Sequence, residues 1–256
     1  MNFPSGFPDT RISCVFLTIA NSTVYPSSSN LFPEIQLNLG KDAPMSENPN
    51  PETAPQRFTG QVAVITGGAG GLGLAIAEAF CQEGGLVALF DANPEAVTAG
   101  TQSLEKLGFS AGGECVDVRD SNQVQAAMAR VAERFGRIDS LIAAAGGSLG
   151  TPRDLEDISR EDLDLVIDVN IKGTYHCSAA VVPYMRTQGG GSIVTFSSIG
   201  GRSTSPVTGI PYAAAKAGIL GLTRRLAREV GPDNIRVNAI APDYFSPADY
   251  KACLMR

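Results

Sequence analysis

Gln61-Val-Ala-Val-Ile-Thr-Gly-Gly-Ala-Gly-Gly-Leu-Gly73 joins an apolar, β-branched strand to a helix through a turn made almost entirely of glycine. Such a turn lets backbone N–H groups approach an anion closely, and the positive end of the following helix dipole adds to the attraction. Gly67 suits the tight turn, Gly71 the close backbone approach and Gly73 the packing of helix on strand, in the pattern of a dinucleotide-binding fingerprint. Glycine turns also arise for packing reasons alone, so the neighbouring chain has to carry part of the argument. A second apolar strand, Leu86–Asp91, ends on a carboxylate twenty residues after Gly71. That spacing places Asp91 to accept hydrogen bonds from ribose hydroxyls and to repel a 2′-phosphate. The turn residues Gly68, Ala69 and Gly70 and the pair after the carboxylate, Ala92 and Asn93, include no Lys or Arg, so NAD is expected over NADP.

The same alternation continues downstream. Helix is expected over Leu72–Glu83, Pro94–Leu107 and Asn122–Phe135, with Pro94 as a first helical residue. Strands are expected at Glu114–Val118, Ile138–Ala145, Ser192–Ser197 and Ile235–Ala241. A long helix starts near Arg160, capped by Ser159 with acidic residues in its first turn, and another covers Tyr212–Val230. Strands apolar on both faces and alternating with helices indicate a doubly wound, Rossmann-type α/β fold: one parallel sheet of six strands, covered on both sides. Asp117, at the end of the third strand, is placed to reach an adenine amino group.

Residues 1–58 differ in texture. They hold eight of the sixteen prolines, with many Ser and Asn and no sustained periodicity, so they are expected to be a disordered extension before the domain at 59–256. Met45 opens a polar lead-in that would make a natural start, which leaves residues 1–44 with little functional weight. The apolar run Ile12–Ala20 lacks the basic start and cleavage site of a secretory signal, and no run is long enough to span a bilayer. A net charge of −6 and a pI near 4.9 argue against nucleic-acid or anionic-membrane surfaces. The five cysteines, Cys14, Cys81, Cys115, Cys177 and Cys253, are odd in number and widely spaced, which suits free thiols in a reducing, cytoplasmic setting. With His176 the only histidine, a His-based metal site or hydrolase triad has little to draw on, and no metal is expected. The expected role of His176 is that of a helix-face residue with a local partner.

Tyr212-Ala-Ala-Ala-Lys216 carries the chemistry. Residues i and i+4 of a helix share a face, so the phenol and the ammonium are neighbours. A free phenol, with a pKa of about 10, is a poor base at neutral pH. A nearby ammonium favours the phenolate and makes tyrosine a usable acid/base. Ser198, following the fifth strand, offers a hydroxyl to a substrate oxygen on which charge develops.

Together, the Thr66-Gly-x-x-x-Gly-x-Gly73 turn, Ser198 and the Tyr212/Lys216 pair give the region from about Phe58 to Pro242 a specific resemblance to the short-chain dehydrogenase/reductase family. The resemblance implies an NAD(H)-dependent oxidoreductase acting on a small-molecule secondary alcohol or ketone. Tyr212 is then the acid/base, Lys216 its partner and the holder of the nicotinamide ribose, and Ser198 the group on the substrate oxygen. Asn170, in Asp168-Val-Asn-Ile171, is similar to an asparagine of a proton relay, although a buried helix-kink asparagine is the plainer reading. Leu72, Val118 and Gly146 join Gly67, Gly71, Gly73, Asp91 and Asp117 as cofactor contacts. The full-length form is expected to be a homo-oligomer.

The chain also departs from the family pattern. Ala143-Ala-Ala-Gly146 stands in place of Asn-Asn-Ala-Gly, and the loop from Ser198 to Tyr212 is about one residue longer. Pro242-Asp243 replaces Pro-Gly, and Pro247 stands where a threonine is usual. The sequence stops at Arg256, where a relative would continue for about 40–50 residues through a seventh strand, which would leave strand six as an open edge. These departures keep a second reading open, that of a catalytically defective nucleotide-binding fragment or short isoform. An epimerase or dehydratase on the same fold fits the glycine spacing less well. The substrate is not specified by the sequence.

Overall fold

The computed structural model describes residues 56–204 and 208–242. The upstream extension, Cys14, Cys253, Asp243 and Pro247 lie outside the described residues. Among those described, six strands form one parallel sheet in the order β3-β2-β1-β4-β5-β6: β1 Val62–Thr66, β2 Leu86–Asp91, β3 Ala111–Cys115, β4 Ser140–Ala143, β5 Gly191–Phe196 and β6 Ile235–Ile240. The order reverses between β1 and β4, which pair in register from Ala63 opposite Ser140 to Thr66 opposite Ala143. A crevice opens at the carboxyl ends of the strands at such a switch point, and that is where ligands of this architecture bind.

The helices divide between the two faces. Helices α1 (Gly71–Gln82) and α2 (Pro94–Lys106) bury Ala77, Phe80, Cys81 and Leu104 on one side, against Ile65, Leu89 and Ile142. Helices α3 (Ser121–Phe135), α5 (Gly173–Thr187) and α6 (Ile210–Val230) bury Met128, Val131, Val181, Met185 and Val230 on the other, against Val64, Phe90 and Leu141. Every residue of β1 is buried, as a central parallel strand requires. Phe58 stacks on Phe80 with ring centroids 4.2 Å apart, which ties the approach to β1 to helix α1.

The starts of three helices follow from their side chains. Asn93 accepts from the Ala96 amide ahead of Pro94, and Asp120 accepts from Asn122 and Gln123. Ser159 and Asp162 form a reciprocal capping box on α4 (Arg160–Ile167). The long helix expected from Arg160 does not run uninterrupted. A π-helical turn at Asp168–Lys172 separates α4 from α5, and Asn170 sits inside it, wholly buried. Inserted turns of this kind mark positions where a helix trades regularity for placement of a side chain.

The third strand differs from its expected position. It runs over Ala111–Cys115 rather than Glu114–Val118, although Val116 still donates to the Asp91 carbonyl at 2.8 Å. Val116 and Val118 are buried just past its end, which is why apolar pattern alone shifts the strand forward. Its true start contains Gly112 and Gly113, which offer no apolar side chain to read. A Cβ at Gly113 would lie 2.6 Å from both Val97 Cγ1 and Thr101 Cγ2, so α2 rests directly on the strand. Both contacting residues are β-branched and have little rotamer freedom to yield. Gly113→Val is expected to destabilise the domain by about 1–3 kcal/mol in urea unfolding. Gly112→Ala, whose Cβ meets only the tip of Arg134, should remain within about 0.5 kcal/mol of wild type. Equal losses for the two would refute this account of the strand.

Candidate active site

The turn after β1 closes on itself. Gly67 has φ of +62°, a conformation that suits glycine, and a Cβ on Gly73 would lie 2.2 Å from the Gly67 carbonyl oxygen. A Cβ on Gly67 would in turn approach the backbone of Ala145 at 3.0 Å. The turn is therefore wedged between its own helix and the chain leaving β4. Gly68 donates to the Phe90 carbonyl at 3.1 Å, and Thr66 Oγ1 accepts from the Ala145 amide at 3.1 Å. This Thr66 bond secures the end of β4, where Ala144 and Ala145 have no polar side chains of their own. Gly70 caps α1 without any side-chain hydrogen bond, and a Cβ on Gly71 would meet nothing within 4 Å. The first amides of α1 are thus open to an anion.

Asp91 stands at the end of β2 beside this turn. Its two carboxylate oxygens accept from Ala69 N at 3.4 Å and Asn93 N at 3.2 Å, which fixes its orientation. Each oxygen keeps a lone pair for a further donor.

Helix α6 supplies the other wall. Lys216 is 5% exposed, and its Nζ donates to the Phe196 carbonyl at 2.8 Å. The same Nζ lies 5.6 Å from the centre of the Tyr212 ring, as the four-residue spacing implies. No carboxylate among the described residues pairs with it, and burial pushes the lysine down to about 8. Ser198 lies two residues beyond β5, in the turn that follows it, and its Oγ accepts from Gly200 N at 3.2 Å. Because that bond uses an oxygen lone pair, the hydroxyl proton stays available to a ligand.

Gly67, Gly71, Leu72, Gly73, Asp91, Gly146, Ser198, Tyr212 and Lys216 are brought together around one cavity of about 460 Å³. Sequence reasoning singled out all nine. It did not single out Gly70, Ala144, Phe196, Ser197 or Pro242 as site residues, and these also line the cavity. Their positions at or just past strand ends were the available signal; of their side chains only the Ser197 hydroxyl is polar, and it donates to the Lys216 carbonyl at 2.7 Å. Three expected site residues do not line it. Asn170 lies behind the wall: its Nδ2 donates to Gly147 O and Val166 O, both at 2.9 Å, and its Oδ1 accepts from Gly147 N at 3.1 Å. Asp117, two residues past β3, is held by Arg119, whose hydrogen bonds keep the carboxyl below its usual range. Val118 is buried, with its carbonyl 3.0 Å from His176 Nδ1, so the lone histidine does have a partner, though one distant in sequence. Of the cysteines, Cys81 and Cys177 are buried and Cys115 exposed, all three as free thiols. Among the described residues no group of three or more His, Cys, Asp or Glu is placed to hold a metal, and no helix is long and apolar enough to cross a membrane.

A family model described as short chain dehydrogenase matches residues 61–252. The short-chain reductase protein NovJ of Streptomyces niveus is 41% identical over 72% of this chain and 68% of its own length. A 3alpha-hydroxysteroid dehydrogenase of Mediterraneibacter gnavus is 37% identical over 71% of this chain and 72% of its own. Among solved structures, an NAD+-bound xylitol dehydrogenase superposes with a TM-score of 0.72 at 34% identity, covering 77% of this chain and 75% of that one. The chain belongs to the short-chain dehydrogenase family of oxidoreductases.

The buried lysine has a measurable consequence. Below pH 8 it is charged in both folded and unfolded states, and its desolvation opposes folding. Between about 8 and its ordinary 10.5 the unfolded chain binds the extra proton, so stability rises with pH. Lys216→Met is therefore expected to stabilise the ligand-free protein at pH 7, by up to about 3 kcal/mol. The advantage over wild type should shrink as pH approaches 10.5. Urea unfolding at pH 7 and pH 10 checks this; a gap that does not change with pH would refute it.

Proposed function

We propose that this chain is an NAD(H)-dependent oxidoreductase that interconverts a secondary alcohol and a ketone, with Tyr212 as its acid/base. The observation that carries the reading is the single cavity shared by the glycine turn, Asp91, Ser198, Tyr212 and Lys216. Residues from three distant parts of the sequence meet there with complementary chemistry.

The residues present fit a nicotinamide dinucleotide. The uncapped amides of α1 suit its pyrophosphate, and the closed turn at Gly67 and Gly73 lets them approach it. Asp91 keeps acceptor capacity for the adenosine ribose hydroxyls, while its charge disfavours a 2′-phosphate. The NAD+ bound in the similar xylitol dehydrogenase supports the same assignment. The nicotinamide, when bound, supplies the two-electron acceptor or donor of hydride.

The chain's own groups then handle the oxygen and its proton. In the oxidative direction Ser198 donates its free hydroxyl proton in a hydrogen bond to the substrate oxygen. Tyr212 accepts the proton of the alcohol as the carbinol C–H departs as hydride, which leaves the ketone. Lys216 is held beside the phenol by the Phe196 carbonyl, and its ammonium stabilises the phenolate that performs this step. Asn170 serves by fixing Gly147 from behind, next to Gly146, where a Cβ would lie 3.3 Å from Lys216 Nζ.

Titration of the purified chain with NADH and with NADPH, following cofactor fluorescence and melting temperature together, tests the cofactor assignment. Saturable NADH binding at least about tenfold tighter than NADPH is expected, given the carboxylate at the ribose. Equal or reversed affinity removes Asp91 from the selective role. Tyr212→Phe should lower kcat by a factor of about 10²–10⁴ with the dissociation constant for NADH unchanged. A variant that retains full turnover would sink the acid/base assignment.

A further inference from the structure

The groups that do chemistry line the cavity, and the residues next to them in the chain have a different character. Seven large hydrophobic side chains are exposed among the described residues, and three of them lie one or two residues along the chain from residues that line the cavity. Leu149 (41% exposed) follows the lining residue Gly147, Ile199 (36%) follows Ser198, and Ile210 (57%) precedes Tyr212. These positions lie on three separate segments, so their concentration around one opening is not a consequence of one apolar run.

The backbone ties the three segments into one rim. A Cβ on Gly209 would lie 2.5 Å from the Pro152 carbonyl oxygen, so the segment that carries Leu149 rests against the one that carries Ile210. A Cβ on Gly201 would lie 2.5 Å from the Lys216 carbonyl carbon, so the turn that carries Ile199 rests on α6 beside the lysine. Leu149 also has φ of +57°, a conformation that disfavours a bulky side chain and in which glycine or asparagine would be expected of a simple turn. A leucine retained there, and exposed, points to a use for its side chain. Charge on the same segments favours no anionic ligand, because the exposed Arg153 and Arg202 are outnumbered by Asp154, Glu156 and Asp157.

Resting on the oxidoreductase reading above, we propose that the substrate is a secondary alcohol or ketone with an apolar body, alkyl or alicyclic, seated on Leu149, Ile199 and Ile210. The oxygen reaches Tyr212 and Ser198 at the floor while the hydrocarbon skeleton covers the rim. Removing that skeleton and the three side chains from water together supplies the binding energy. A polyol or a keto acid would leave the rim wet or place its charge against a net acidic edge.

The test measures NADH-dependent reduction of 4-methylcyclohexanone, 2-octanone, dihydroxyacetone and acetoacetate by the full chain. The two apolar ketones are expected to have kcat/KM at least about tenfold above the polar pair. Leu149→Ser, Ile199→Ser and Ile210→Ser should each raise KM for 4-methylcyclohexanone roughly three- to tenfold, with the NADH dissociation constant unchanged. Leu107→Ser, an equally exposed aliphatic (55%) at the end of α2, should leave that KM where it was. A preference for dihydroxyacetone or acetoacetate, or rim variants with unaltered KM, overturns the proposal. So does NADH binding without turnover of any of the four ketones. A change of oligomeric state in the rim variants with no change in KM would assign the rim to a second copy of the chain and likewise overturn it. Loss of NADH binding by the wild-type chain, in contrast, refutes the oxidoreductase reading itself and the substrate assignment with it.

Discussion

The backbone at Gly67 and Gly73 has to touch with no side chain between, and the rest of the site depends on that contact. With 2.2 Å between the Gly67 carbonyl oxygen and where a Cβ on Gly73 would stand, any other residue at 73 would push α1 away from β1. The opposite side of the turn is equally confined, because Gly67 faces the backbone at Ala144 and Ala145. One turn thus fixes both the first helix and the exit from β4, two elements with β2, α2, β3 and α3 between them in sequence. Thr66 and Gly68 add hydrogen bonds on opposite sides of β1, to the chain leaving β4 and to β2. The crevice that a reversed strand order leaves open becomes a shaped site because these backbones cannot drift apart.

Most of the fold was legible in the sequence because its central strands β1, β2 and β4 are nearly pure apolar runs and three of its helix starts carry explicit caps. Asn93-Pro94 and Ser159 through Asp162 needed no tertiary information to be read. The third strand was misplaced for a tertiary reason: Gly112 and Gly113 are strand residues because α2 lies on them, and glycine carries no apolar signal. The π-helical turn was legible only as a kink at Asn170, since Asp168 to Lys172 has no helix-breaking residue to mark its extent. Its irregularity is tied to Asn170, whose amide satisfies both backbone groups of Gly147, a partner set by the fold and not by neighbours in sequence. In the site, side chains with chemistry and the glycines of a recognisable turn could be read, and the other backbone walls could not. Ala144, Gly147 and Pro242 shape the cavity by where their main chains run, which only topology decides. Asp117 is a carboxylate just past a strand end that pairs with Arg119 outside the cavity lining, a partner that spacing in sequence does not indicate.

The electrostatics of the ligand-free site are unbalanced in one direction. The first amides of α1 lack a capping acceptor, and Lys216 is buried with one neutral carbonyl as its partner. Both leave positive potential uncompensated in a low-dielectric setting, where an unpaired charge is costly. The carboxylate nearest the turn caps neither of them: Asp91 accepts from the Ala69 and Asn93 amides, and its remaining lone pairs stay open to a ligand. A ligand that brings a diphosphate to α1 and hydroxyl oxygens to the lysine supplies what the protein withholds. Preorganised positive groups are maintained at the expense of stability when a bound anion restores the balance. The same reasoning explains why Lys216 cannot be read as a structural ion pair: a lysine held for stability would have a carboxylate beside it, and α6 places an unpaired ammonium against a phenol instead.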